Sequence, residues 1–296
     1  MIEIQHLKFN YITFNKTSGL KGSLKDLFKR QQTTFNVYRD LNLNVQDGEM
    51  LGLMGPNGAG KTTLIKLLTG VIEPAGGKID IDGTTPSTKS NSFLKQIGVL
   101  FGQKSQLSWD LPATDTFDLI AKIYNLAPSE YRNRLNELTT MLNVTDFVNR
   151  PVRKLSLGQR MRCELICALI HSPKYLFLDE PTLGLDITTQ HAIYTFLKEE
   201  NQRYGTTIII TSHSLQDIER LADRVVVMVK GNFVYDGTTT ALPVNVSEHQ
   251  SFAIQLDRGD GAANNIVVPA NEVASRVAKI GFEHIISVTR VGEDGI

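Results

Sequence analysis

The chain has 296 residues with 31 basic and 31 acidic side chains, so its formal net charge at neutral pH is zero. That length allows one large domain with a small appendage and an ample core, and the balanced charge leaves no basic footprint, so no nucleic-acid partner is expected. Apolar runs such as Val225–Val229 and Leu165–Ile170 fall well short of the roughly 20 residues a bilayer requires. Met1-Ile-Glu-Ile-Gln begins as an alternating strand rather than a signal peptide, so the expectation is a cytosolic chain, at most peripheral to a membrane. Cys163 and Cys167 are the only cysteines. Four apart in an apolar, helix-like segment, they suit helix packing in a reduced compartment, and no further Cys or clustered His completes a tetrahedral zinc set.

In chain order, Ile2 to Phe9 alternates apolar and polar residues as a half-buried strand does, and Tyr11 follows it. Between residues 16 and 39, Lys16, Lys21, Lys25, Lys29, Arg30 and Arg39 face the single acid Asp26. Leu20, Leu24, Leu27 and Phe28 recur there at helical spacing, so a short basic amphipathic helix is expected in an insertion over about residues 16–36. It has two readings: a face for a membrane or membrane partner, or a helix packed on its own domain with a solvated basic side.

The apolar run Met50–Met54 leads into Gly55-Pro56-Asn57-Gly58-Ala59-Gly60-Lys61-Thr62-Thr63 and then a helix-like run, Leu64–Leu68. The pattern G-x-x-x-x-G-K-T between strand and helix is a phosphate cradle. Consecutive backbone N–H groups at a helix N-terminus replace the hydration of a polyphosphate, and the glycines let the backbone approach it. Lys61 supplies a point charge for the β/γ-phosphates, and the Thr62 hydroxyl can ligate Mg²⁺.

Lys78–Ile81 alternates again and Asp82-Gly83 closes a turn. Ile97–Phe101 is a short buried-strand run ending at Gly102-Gln103. From residue 104 to about 160 the texture is helical, with helices expected over Thr114–Tyr124 and Tyr131–Leu142, the latter with Leu135, Leu138, Met141 and Leu142 on one stripe. Leu155-Ser156-Leu157-Gly158-Gln159-Arg160 opens a helix running to about Ile170. Ser156 and Gln159 stand in capping-box spacing, so its positive dipole end faces outward as an anion site.

Tyr175-Leu-Phe-Leu-Asp179-Glu180 is a fully buried strand with two acids at its C-terminal end, where parallel sheets bind ligands. An Asp there suits Mg²⁺, and the adjacent Glu suits a water aimed at a γ-phosphate. Thr207–Ile210 delivers Thr211-Ser212-His213 to the same edge. From about Ala241 the composition shifts: strands are expected over Phe252–Leu256, Ile266–Pro269 and Ile285–Val291, with a helix over Asn271–Ile280.

Taken in order, these segments resemble the nucleotide-binding subunit of an ATP-binding cassette (ABC) transporter over roughly residues 1 to 237. They match the Walker A motif (Gly55–Thr63), the Q-loop (Gln103), the signature (Leu155–Gln159), Walker B (Leu176–Glu180), the D-loop (Leu183-Gly184-Leu185-Asp186) and the switch (His213). The resemblance implies an α/β P-loop NTPase of ABC type with an antiparallel β subdomain and a helical insert. Residues 1–240 are then the nucleotide-binding domain and 241–296 a small C-terminal α/β appendage.

It implies ATP and Mg²⁺ as cofactors. The ATP set would be Tyr11, stacked on adenine, with Gly55, Asn57, Gly58, Ala59, Gly60, Lys61, Thr62 and Thr63, and Asp186 of the D-loop. Thr62, Gln103 and Asp179 would hold Mg²⁺, Glu180 would be the general base, and His213 would touch the γ-phosphate. Ser156, Gly158 and Gln159 would bind the γ-phosphate of the nucleotide held by a second copy, in a head-to-tail homodimer or a heterodimer with another such ATPase. Leu157 departs from the usual signature, which has Gly there; with Ser156, Gly158 and Gln159 intact, the phosphate contact is expected to survive. The segment Phe101–Pro112, the signature and the basic insertion are similar to bacterial exporter ATPases with separate permeases, the sodium-extrusion and drug-resistance types. Trp109 would face the permease, or else pack inside the insert. The implied place is the cytoplasmic face of the cell membrane. The other reading is a soluble ABC ATPase acting on ribosomes or DNA.

Overall fold

The computed structural model describes residues 1–14, 32–102, 104–241, 251–257, 263–269 and 285–290. Among these, β1 (Ile2–Phe14) lies between β2 (Gln32–Val45) and β4 (Gly76–Ile81) in an antiparallel sheet ordered β2-β1-β4. A second sheet takes β3 (Met50–Met54), β5 (Ile97–Phe101), β6 (Tyr175–Asp179), β7 (Thr207–Ser212), β8 (Arg224–Val229) and β9 (Asn232–Thr238) in the order β5-β6-β7-β3-β8-β9. All its pairings are parallel except β8 with β9. Its central strands are short apolar runs buried along their length, as sheets covered on both faces require.

Between the two sheets lies one core. Ile2, Ile4 and Leu7 of β1 and Leu51 and Leu53 of β3 meet Leu64, Ile65 and Leu68 of α1 (Lys61–Leu68), with Tyr175 and Phe177 of β6. Each such side chain contributes about 1.5–3 kcal/mol by leaving water, and together they fix α1, and with it the glycine-rich loop, against the sheet. Asp82 and Gly83 both take positive φ, the geometry of a tight hairpin turn.

The helices that follow are α2 (Asn91–Gln96), α3 (Ala113–Ile123), α4 (Pro128–Met141), α5 (Leu157–Leu169), α6 (Ile187–Tyr204) and α7 (Leu215–Leu221). α3 and α4 pack on α5 as the expected helical insert, with Leu138 and Leu142 buried. Trp109 is 55% exposed, so it is not packed inside the insert. Cys163 and Cys167 are free and buried on α5.

A buried ion pair joins the insert to α6. Arg134 of α4 donates to Glu200, which is 1% exposed, and to Glu137 Oε2 at 3.0 Å, and its guanidinium lies 4.4 Å from the centre of the Tyr204 ring. The Tyr204 hydroxyl returns to Glu137. At the other end of α6 the approach is closer still. A Cβ on Gly158 of α5 would sit 2.9 Å from Thr189 Cγ2 and 3.1 Å from its hydroxyl, so the two helices meet there only because residue 158 has no side chain.

Some boundaries differ from the sequence expectation. β1 continues past Phe9 to Phe14 because β2 pairs with it out to Gln32. Residues 32–36, expected within the insertion, are therefore strand. The amphipathic helix expected at Leu20, Leu24, Leu27 and Phe28 lies outside the described residues, as does Gln103. The chain divides into two compact units, Met1–Thr240 and Ala241–Ile296. In the second, β10 (Ser251–Asp257) pairs antiparallel with β11 (Ala263–Pro269) and β12 (Ile285–Arg290). The helix expected over Asn271–Ile280 lies outside the described residues.

Replacing Arg134 with Leu strands the buried Glu200 carboxylate, and the unfolding free energy should fall by about 3–5 kcal/mol in denaturant titration. The double change Arg134→Leu with Glu200→Leu should recover most of that loss. Gly158→Ala forces α5 away from Thr189 and should cost about 1–3 kcal/mol. Adding Thr189→Ser, which removes the nearest methyl, should restore part of the melting temperature.

Candidate functional site

The C-terminal ends of the parallel strands bring the site together. β3 ends at Met54 and the chain turns through Gly55–Gly60 into α1. Gly60 caps that helix with φ 116° and no side-chain hydrogen bond, leaving its first N–H groups open to a ligand. A side chain at residue 60 would not fit: its Cβ would lie 2.9 Å from the Tyr38 hydroxyl and 3.1 Å from Met228 sulfur. Tyr38, whose hydroxyl burial holds in its protonated form, donates to Gly60 O at 2.5 Å and braces the turn from β2. Lys61 is buried, with Nζ donating to Gly55 O at 2.7 Å and Pro56 O at 3.2 Å. Burial pushes its pKa down, while Glu180 and Asp179 pull it back up.

Opposite the loop stand the acids of β6. Thr62 donates to Asp179 at 2.8 and 3.1 Å, and Thr211 of β7 donates to Asp179 Oδ1 at 2.7 Å. The register of β6 on β7 sets Asp179 beside Thr211. Glu180 follows with φ 51°, a left-handed conformation that costs a non-glycine residue about 1–3 kcal/mol and persists only where its surroundings impose it. Its N–H donates to Thr211 Oγ1 at 2.9 Å and to Thr211 O at 3.2 Å. The twist aims its carboxylate across the gap, 3.7 Å from Lys61 Nζ and 3.7 Å from His213 Nδ1. Lys61, Thr62, Asp179, Glu180 and His213 thus form one constellation of opposite charges and hydroxyls.

Tyr11 joins its rim. Its hydroxyl is 3.3 Å from Thr63 Oγ1, its ring meets Phe9 edge-on at 4.8 Å, and it is 37% exposed. Asn57 and Gly58 are exposed at the tip of the loop, and Ala59 is buried under it.

Ser156, Gly158, Gln159 and Asp186 form a second group on α5 and α6. Ser156 Oγ accepts from Gln159 N at 3.2 Å and Gln159 Oε1 accepts from Ser156 N at 3.0 Å, a complete capping box. Asp186 caps α6 by accepting from Thr189 N at 2.9 Å and Thr189 Oγ1 at 2.7 Å, bonds that hold its carboxyl below the usual range. Arg162 reaches the same hydroxyl at 3.4 Å, so Thr189 ties this group together. Leu157 is 42% exposed at the open end of α5.

Sequence reasoning placed Thr211 at this edge with Ser212 and His213 but gave it no role, and it missed Tyr38 and Thr189, which nothing local marked. Among the described residues no group of three or more His, Cys, Asp or Glu gathers as a metal cluster, and no helix is long and apolar enough to cross a membrane.

Residues 38–183 match the profile of the ABC transporter family. The chain is 32% identical over 215 residues to the ABC transporter ATP-binding protein NatA of Bacillus subtilis, covering 73% of this chain and 87% of that one. It is 31% identical to the methionine import ATP-binding protein MetN of Latilactobacillus sakei (73% of this chain, 64% of the relative) and 31% identical to the daunorubicin resistance ATP-binding protein DrrA3 of Streptomyces coeruleorubidus (79% and 73%). Among solved structures, cbiO1 of Clostridium perfringens, part of the transporter complex cbiONQ, superposes with a TM-score of 0.66 at 26% identity, covering 81% of this chain and 88% of that one. The chain therefore belongs to the ABC transporter family, as one of its ATP-binding, ATP-hydrolysing subunits.

Proposed function

We propose that this subunit powers export through a separate membrane permease, from the cytoplasmic face of the cell membrane, by closing with a second copy around ATP. Residues 1–240 are the nucleotide-binding domain in this reading and 241–296 an appendage. The observation that carries the hydrolytic part is the convergence of Lys61, Thr62, Asp179, Glu180 and His213 at the mouth of an uncapped helix.

In this reading each described residue has a role that its placement supports. Lys61 exchanges the Gly55 and Pro56 carbonyls for the β- and γ-phosphate oxygens. Thr62 and Asp179 present hard oxygen donors within hydrogen-bond distance of each other, a set that fits Mg²⁺ completed by phosphate oxygens and water. Held by these two residues, with Gln103 assigned to it by the family resemblance alone, Mg²⁺ would neutralise charge on the phosphates. Glu180 takes the proton of a water whose oxygen attacks the γ-phosphorus as the bond to ADP breaks, and His213 donates to the γ-phosphate. Tyr11 offers its ring to adenine. Ser156, Gly158, Gln159 and Asp186 meet the nucleotide of the second copy, with the α5 N-terminus toward its γ-phosphate. Export is supported by the likeness to DrrA3, a resistance protein by name; the exposed Trp109 and Leu111 support a permease-facing surface, whichever the direction.

Glu180→Gln should lower kcat for ATP hydrolysis by about 10²–10⁴-fold while nucleotide binding survives, and Lys61→Ala should instead weaken binding itself; retained turnover in the Gln variant would overturn the general-base role. Tagged in its native cells and extracted with detergent, the chain should bring down a polytopic membrane protein in stoichiometric amount. Ribosomal proteins or nucleic acid in its place would overturn the transporter reading. Cells lacking the chain should then retain that permease's substrate, and impaired uptake would reverse the direction.

A further inference from the structure

Behind Glu180 and His213 stands a carboxylate with no part in the roles above. Asp217 lies in the first turn of α7, and its Oδ2 accepts two hydroxyl hydrogen bonds, from Ser212 at 3.0 Å and from Thr182 at 3.2 Å. Both donors are 4% exposed. They come from opposite sides of the catalytic gap: Ser212 ends β7 next to His213, and Thr182 is two residues beyond Glu180.

The His213 side is a closed ring of bonds. Ser212 Oγ, donating to Asp217, accepts from Ser214 N at 2.9 Å, and Ser214 Oγ accepts from Asp217 N at 3.4 Å. His213 is thus carried on a turn pinned at both ends. On the Glu180 side, the left-handed backbone at Glu180 persists only if the structure around it over-determines it. Thr211 holds its N–H from one side, and Thr182, anchored on Asp217, holds the chain leaving it. A buried hydroxyl whose acceptor is removed loses about 1–3 kcal/mol and turns toward another partner, so removing this one carboxylate frees both walls of the gap at once.

We propose that Asp217 is a positioning residue for ATP hydrolysis, holding Glu180 and His213 in mutual register through Thr182 and Ser212. This rests on the reading of Glu180 and His213 as the groups that act on water and the γ-phosphate.

The test uses the purified 296-residue chain with Mg·ATP, reading steady-state kcat and KM, nucleotide affinity and melting temperature. Asp217→Ala should lower kcat by about tenfold to a hundredfold, the scale of a catalytic group displaced by an ångström, with KM held within about twofold. Asp217→Asn retains an oxygen that can accept both hydroxyls and should restore most of the rate. An unchanged kcat in the Ala variant overturns the proposal, and so does an Asn variant as slow as Ala. If Asp217→Ala does not fold, Ser212→Ala and Thr182→Val carry the question: each should slow kcat at near-constant KM, and normal turnover in both overturns the proposal. Glu180→Gln and His213→Ala run alongside as controls. Normal turnover in these would remove the catalytic reading itself, whereas their inactivity beside fully active Asp217, Ser212 and Thr182 variants would remove the positioning inference alone.

Discussion

The site is built around the cost of burying one carboxylate. Asp179 ends the interior strand β6 with little exposure to water, where an unpartnered charge would cost several kcal/mol. Two hydroxyls offset that cost, Thr62 from the helix behind the phosphate cradle and Thr211 from the neighbouring strand. Each bond is also a positional constraint. The first draws α1 and its open N-terminus toward β6. The second locks β7 in register, and through the Glu180 N–H bond to Thr211 it aims the next acid into the gap. The groups that meet phosphate and water inherit their places from the way Asp179 is satisfied.

Lys61 shows the same economy from the opposite charge. It is buried beside two carboxylates, yet its nearest partners are the carbonyls of Gly55 and Pro56, with Glu180 further off at 3.7 Å. Neutral carbonyls are acceptors that anionic phosphate oxygens can replace, because a full negative charge attracts the ammonium more strongly than a carbonyl dipole does. The ammonium is thereby held at the loop by groups that a nucleotide can displace.

The second group, on α5 and α6, is organised by packing rather than charge. Thr189 fills the space that Gly158 leaves and is bound by both Asp186 and Arg162, so the open end of α5 and the start of α6 form one rigid corner. At its far end α6 is gripped by the buried Arg134–Glu200 pair from α4. The helical insert and the start of α5 therefore engage one helix, α6, near both of its ends.

Much of this was legible in the residues because it is local. The cradle, the buried strand ending in two acids, the capping box at Ser156 and the short strands of the parallel sheet each follow from spacing within a dozen residues, and their order along the chain pointed to the family. Tertiary structure alone decided the rest. That Tyr38 braces Gly60, that Thr211 and Thr62 share one carboxylate, and that Asp217 reaches both Ser212 and Thr182 depend on strand order and register, which bring Thr62 to Asp179 across 117 positions of chain. Gly158 had the look of a phosphate contact, but the close approach of Thr189 shows a packing reason for it as well. A hydroxyl or a missing methyl carries no sequence pattern of its own; its partner is chosen only when the sheet and helices close around the buried charge.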